Sequence, residues 1–340
     1  MTMPLLILDQ HFRQVEELFS PATHAALSDL CEIAHGLNWP MERAALLERL
    51  PEATFLVAAR PVLSAGEIAA APRLRAVIEV SGAFQDGLDY AACAERGIEA
   101  LSCSPGFAPA VAEMALAMIL AGARGLVAEH ENMRRGAEHW LDDRPHTDFT
   151  LFGAEVGIVG YGAIARETAR LLAPWSPVIR AHDPWLAEAD VPLVTLEELI
   201  ERSRVLVIAA SPTSENEAMI GAEMIARIPQ GALVVLISRA HVVDWEALTA
   251  AAASGRIRLA SDVFPDEPIP EGDPVRDMRG VILSPHRAAA VPGGRQPIGD
   301  MILHDVGAIL EGRPERRLKR ADPARVASLA AAVKPLKLLE

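Results

Sequence analysis

The sequence predicts an α/β protein built on two doubly wound parallel sheets, and three observations predict it. Short β-branched runs alternate with helical patterns along most of the chain, as parallel strands joined by crossover helices require. A glycine-rich strand-to-helix turn, residues 156–165, stands near the middle. At 340 residues, 51% hydrophobic and 23% charged, the chain can bury two cores of ordinary size.

In chain order, residues 5–8, 55–58, 76–80 and 98–100 read as strands, with helices near 11–18, 21–30, 42–50 and 90–96. This half has no phosphate-loop glycines. Its notable loop is 81–87, directly after a strand, at the edge where a parallel sheet holds a ligand. The apolar helical pattern 109–122 bridges to a second α/β unit, residues 156–285. Its further strands are expected at 178–181, 205–209, 232–237, 259–263 and 281–283, with helices at 196–201, 222–227 and 245–254. A last helix, 298–310, precedes a Pro- and Arg-rich tail that returns to the first unit.

The turn carries the strongest signal. Gly160, Gly162 and Ala165 fit G-x-G-x-x-G/A: Gly160 permits the turn, Gly162 lets a pyrophosphate approach the helix N-terminus, and the small Ala165 allows close packing on the sheet. The next strand runs to Asp183, about 20 residues on, where a dinucleotide fold places a ribose-binding acid. A carboxylate accepts hydrogen bonds from ribose hydroxyls and repels a 2′-phosphate, so NAD is favoured over NADP, with Arg180 and His182 close enough in sequence to blunt the preference. Cofactor contacts are expected from Gly160, Tyr161, Gly162, Ala163 and Ile164 at the turn, from Asp183, and from Ser211, Pro212, Ser238 and Asp262 near later strand ends.

A net charge of −14 disfavours nucleic acid or anionic membrane as the main partner. The basic cluster at 313–320 reads as solvated surface. The start has no cationic region before its short apolar run, so it reads as a strand and not a signal peptide. Residues 111–127 are apolar but carry Glu113 and Arg124, which argues for a buried helix. Cys31, Cys93 and Cys103 have no metal-ligand spacing and read as reduced thiols of a cytoplasmic protein, with no metal expected.

Three later strands end in chemically capable residues. One runs into Ser238-Arg239, one into Asp262 and the loop holding Glu267, and one into Ser284-Pro285-His286. All three would gather at one sheet edge. A guanidinium that grips a carboxylate and carbonyl, a proton-delivering His and a carboxylate that holds the proton on that His are what reduction of a 2-oxo acid needs.

The runs 229–244, 261–268 and 281–289 resemble the NAD-dependent D-isomer-specific 2-hydroxyacid dehydrogenases, a family that includes phosphoglycerate dehydrogenases and glyoxylate/hydroxypyruvate reductases. The resemblance implies that Arg239, Glu267 and His286 are the catalytic set, that Asp262 lies near the nicotinamide amide, and that backbone N–H groups of Gly82, Ala83 and Phe84 receive the substrate carboxylate. It also implies a Rossmann NAD-binding domain, 105–290, inserted into a flavodoxin-like substrate domain formed by 1–104 and 291–340. The assembly it implies is a homodimer.

The chain departs from the family pattern at Leu236, Ala240, Arg287 and Phe84, the last standing where a Gly is usual. The expected function is hydride transfer between NAD(H) and a D-2-hydroxy acid/2-oxo acid pair. The alternative is an NAD(H)-sensing, corepressor-like interaction protein on the same scaffold.

Overall fold

The computed structural model describes residues 3–140 and 148–332. Two six-stranded sheets organise them. The first contains β1 (Leu5–Asp9), β2 (Glu32–His35), β3 (Ala53–Ala58), β4 (Ala76–Glu79) and β5 (Glu99–Ser102), all parallel, with β12 (Lys319–Arg320) antiparallel at its edge. Its order is β12-β5-β4-β3-β1-β2. The second, wholly parallel, contains β6 (Glu155–Val159), β7 (Val178–His182), β8 (Val205–Ile208), β9 (Leu233–Leu236), β10 (Arg258–Ser261) and β11 (Ile282–Leu283), in the order β11-β10-β9-β8-β6-β7.

Both sheets are covered on two faces, and the side chains sort accordingly. Leu206, Ile208, Val234 and Leu236 enter one buried cluster, whereas their neighbours Val205, Val207, Leu233 and Val235 enter another. This alternation is the period of two of an extended chain. In the first sheet Leu6, Leu8, Phe55 and Val57 face one way, Leu5, Ile7 and Leu56 the other.

Where the structure departs from the sequence reading, the cause is local. The helix expected over 11–18 is a single turn, Val15–Leu18, because residues 10–13 form a loop in which Phe12 has a positive φ of 53°. β2 is absent from the sequence reading: it is four residues long, partly exposed on an edge, and has no apolar run to announce it. The helix Leu126–Arg135 was missed because it buries none of its residues, so no apolar stripe marks it.

The bridging helix, Ala108–Ala123, and the turn before it are long and apolar enough to cross a membrane by composition. Nine of the helix's residues are buried inside the fold. It lies so close over β9 that a Cβ on Gly122 would come within 2.7 Å of Leu233 Cδ1. Helix Pro297–Glu311 returns to the first sheet, where Ile298, Ile302, Val306 and Ile309 join its core. Arg316, on the stretch that follows, clamps Glu99 of β5 through two hydrogen bonds of 3.0 and 2.5 Å.

Candidate active site

The register of the second sheet brings the later site residues to one edge. Leu236, Ser261 and Leu283 are aligned across β9, β10 and β11, so the chain leaves three neighbouring strands at one level. Arg239 follows the first, Asp262 the second and His286 the third.

His286 Nδ1 lies 2.6 Å from Glu267 Oε2, and the other carboxylate oxygen accepts the Phe264 N–H at 2.9 Å. Burial works to raise the Glu267 pKa, but the His286 hydrogen bond and charge, with the Phe264 N–H and Arg239, outweigh it and hold the carboxyl below its usual range. His286 sits in a left-handed conformation, φ 51°, fixed by its N–H to the Asp262 carbonyl at 2.8 Å. With Nδ1 engaged by Glu267, Nε2 is the ring nitrogen left for a ligand.

Arg239 is exposed at the edge, and its Nη1 donates to the Ser238 carbonyl at 2.7 Å. The surrounding protein depresses its pKa by desolvation, opposed by Glu267 and then Asp262. Arg239, Glu267 and His286 therefore form one electrostatic group. Ser238 is buried, its Oγ without a partner among the described residues.

Asp262 holds the strand-end loops together. Its carboxylate accepts the Ser284 hydroxyl at 2.5 Å and the N–H groups of Arg287 and Ala288 at 2.9 and 3.1 Å, and the residue is 1% exposed. It anchors the loop that carries His286. Arg287 is itself exposed.

At the glycine turn, Gly160 has φ +80°, and a Cβ there would collide with the Ala210 backbone. Gly162, the residue before helix Ala163–Leu172, has open space where its Cβ would be. The N–H groups of Gly162, Ala163 and Ile164 have no backbone partner at this helix start, so the turn can cradle a pyrophosphate. Tyr161 is 1% exposed, so its side chain is core and offers nothing to a cofactor. Its N–H donates to Asp183 Oδ2 at 2.9 Å, while Asp183 Oδ1 accepts the Trp185 N–H at 2.9 Å. Asp183 is thereby set beside the glycine turn. Arg180 pairs instead with Glu155, and His182 Nδ1 bonds the Val194 carbonyl at 3.0 Å. These residues fit a bound NAD.

The loop after β8 is braced by Asn216, which bonds both the Ser211 carbonyl and the Thr213 N–H, and by His241 on the Thr213 carbonyl at 2.9 Å. Pro212 is partly buried in it.

On the loop after β4, the Gly82 N–H donates to Glu79 at 2.9 Å. The Ala83 and Phe84 N–H groups have no partner among the described residues. The Phe84 ring turns into a small cluster with Val326 and Leu329 of the C-terminal helix Val326–Ala331, edge-on to Tyr90 at 5.9 Å.

Sequence reasoning missed Glu79 altogether. This buried carboxylate accepts Ser81 N–H and Oγ at 2.9 and 2.7 Å, Gly82 N–H and the Ser102 hydroxyl, so it shapes the substrate loop. Burial raises its pKa despite those bonds. Lys319 was missed too: desolvation lowers its pKa, but Asp183 acts on it across the cleft in the opposite sense. Asn38 accepts the Val15 N–H at 2.9 Å.

Residues 116–288 match the family model described as D-isomer specific 2-hydroxyacid dehydrogenase, NAD binding domain. The chain is 29% identical over 305 residues to a D-3-phosphoglycerate dehydrogenase of Mycobacterium bovis, covering 88% of this chain and 56% of that protein. It thus spans about half the length of such curated relatives. To a glyoxylate reductase of Thermofilum pendens it is 30% identical over 301 residues, covering 84% of this chain and 87% of the relative. Among solved structures, a phosphoglycerate oxidoreductase from Rhizobium etli superposes with a TM-score of 0.83 at 35% identity, covering 94% of this chain and 98% of the other.

Proposed function

Because the chain belongs to the D-isomer-specific 2-hydroxyacid dehydrogenase family and carries its NAD-binding domain, we propose that it interconverts a 2-oxo acid and the corresponding D-2-hydroxy acid. The observation that carries the reading is the 2.6 Å bond between Glu267 and His286, with Arg239 coupled to Glu267 at the same sheet edge. Bound NADH would supply the hydride for the carbonyl carbon.

In this reading Arg239 grips the substrate carboxylate and carbonyl with its planar fork, and the Ala83 and Phe84 N–H groups hold the carboxylate from the other side of the cleft. His286 Nε2 donates the proton to the carbonyl oxygen and takes it back in the oxidative direction. Glu267 fixes the ring through Nδ1 and stabilises the imidazolium. Asp262 and Glu79 are positioning residues, one for the His286 loop and one for the substrate loop.

A panel of 2-oxo acids assayed by NADH oxidation tests the proposal. Turnover with at least one member supports it, and binding of NADH without turnover of any would favour a sensing role. We also propose a homodimer: Leu126, Val127, Met133 and Trp140 expose 62%, 40%, 54% and 72% of their surface within a short stretch, as a face covered by a second copy would.

A further inference from the structure

Beside the substrate loop lie two arginines that the catalytic reading does not use. Arg13 follows β1 at the cleft edge of the first sheet, with its guanidinium carbon 4.9 Å from the Phe12 ring and 5.8 Å from the Phe107 ring. Its Nε is buried without a partner, and among the described residues its guanidinium makes no hydrogen bond or ion pair.

Arg295 comes from the loop joining His286 to the returning helix. Its side chain is 17% exposed, it pairs with Glu17 at 2.7 Å, and its Nε is also buried and unpartnered. Burial, and then the charge of Arg295, push the Arg13 pKa down to about 10. Gln10 Oε1 and His11 Nδ1, on the same loop as Arg13, are buried without a hydrogen bond as well.

A cation withdrawn from water without a counter-charge is unfavourable, and a second cation beside it makes matters worse. Glu17 is bonded to Arg295 and acts on Arg13 only at longer range. Glu79 acts on Arg13 at longer range, but its oxygens are already taken by Ser81, Gly82 and Ser102. What Arg13 lacks, among the described residues, is an anion within bonding distance.

Its location says which one. The Phe107 ring that Arg13 overlies also abuts Gly82, where a Cβ would stand 2.6 Å from Phe107 Cε2. Arg13 is therefore one aromatic ring away from the loop that holds the substrate carboxylate, and Arg295 is on the segment leaving His286. We infer that Arg13 and Arg295 form a subsite for a second anionic group, so that the substrate is a 2-oxo acid with a carboxylate or phosphate ester at its far end. The inference rests on the dehydrogenase reading for the placement of the near end. Guanidinium forks match both kinds of oxyanion.

The test compares kcat/KM for matched acids that differ in the second charge: 3-phosphohydroxypyruvate against hydroxypyruvate, and 2-oxoglutarate against 2-oxobutyrate. The dianion of one pair should be preferred by about tenfold or more, and the pair that shows the preference distinguishes phosphate from carboxylate. Arg13→Gln should collapse that ratio and Arg13→Lys should retain part of it. Because Arg13 makes no hydrogen bond or ion pair among the described residues, Arg13→Gln should melt no lower than the wild type, which separates lost selectivity from lost folding. Calorimetric titration of the same acids, with NAD present, reads the subsite independently of turnover.

Equal use of both members in each pair, or a ratio unchanged in Arg13→Gln, would overturn the inference. Arg13-dependent binding of a dianion without turnover of any 2-oxo acid would support the subsite while removing the dehydrogenase reading.

Discussion

At the scale of single residues, the structure separates groups that face the chemistry from groups that aim them. Asp183 stands beside the glycine turn with Arg180 and His182 both engaged elsewhere, so NADH should bind more tightly than NADPH by about tenfold, or 1.4 kcal/mol. Fluorescence titration of both cofactors checks it, and equal affinities would point to Lys319 as the cation that offsets Asp183. Arg239→Lys keeps the charge but loses the planar fork, so turnover should drop strongly while NADH binding persists; near wild-type kinetics would remove Arg239 from the site. Arg239, Glu267 and His286 were legible because each follows an apolar run short enough to be a strand. Glu79 was not, since a lone acid ending a buried strand looks the same whether it caps the strand or shapes a loop. The part of Asp262 in anchoring the His286 loop was not legible either: the N–H groups it accepts come from residues 25 and 26 positions away, a closure that only the folded chain displays.

Elements differ in how much of them is written locally. The strand-turn-helix around Gly160 is fully local, and Gly160→Ala should be severe because it adds both a collision with Ala210 and a left-handed strain of about 1 kcal/mol or more. Thermal melting and NADH titration should fall together, and a variant with unchanged melting would contradict the close approach. The returning segment is not local at all. β12 is two residues long, and what fastens it is Glu99, whose partly buried carboxyl is held below its usual pKa by Arg316 and Arg320 against the opposing effect of desolvation. A folded pKa lowered by such ion pairs adds stability above the unfolded value of about 4.3, and the contribution disappears as pH falls through the folded value. Glu99→Gln should cost about 1–3 kcal/mol in urea unfolding at neutral pH, with the difference from wild type narrowing in acid. A difference that stayed constant with pH would show that the clamp is not ionic.

Taken as a whole, the molecule is two sheets joined by the Ala108–Ala123 helix and again by the C-terminal helix. The latter touches Phe84 on the substrate side, while Arg325 lies over the Trp185 ring at 4.9 Å and Ser328 bonds the Ser214 N–H and Oγ at 3.0 Å on the cofactor side. The sequence showed a tail returning to the first sheet but not this second attachment, which depends on two serines 114 residues apart. A Ser214→Cys, Ser328→Cys pair should therefore oxidise to a crosslink that slows NADH exchange by about tenfold, as expected when a closing segment governs access, with reductant restoring it. Exchange unaffected by oxidation would show that the strap does not govern entry. The account as a whole stands on proton transfer by His286 under the control of Glu267. Its most direct test is the rate of NADH-dependent 2-oxo acid reduction from about pH 5 to about pH 9 in the wild type, Glu267→Gln and His286→Ala proteins. The wild-type rate should fall as pH rises through one midpoint, Glu267→Gln should move that midpoint downward, and His286→Ala should lose about 10² to 10⁴ in rate while still binding NADH. A His286→Ala enzyme that keeps the wild-type rate and pH profile would contradict it.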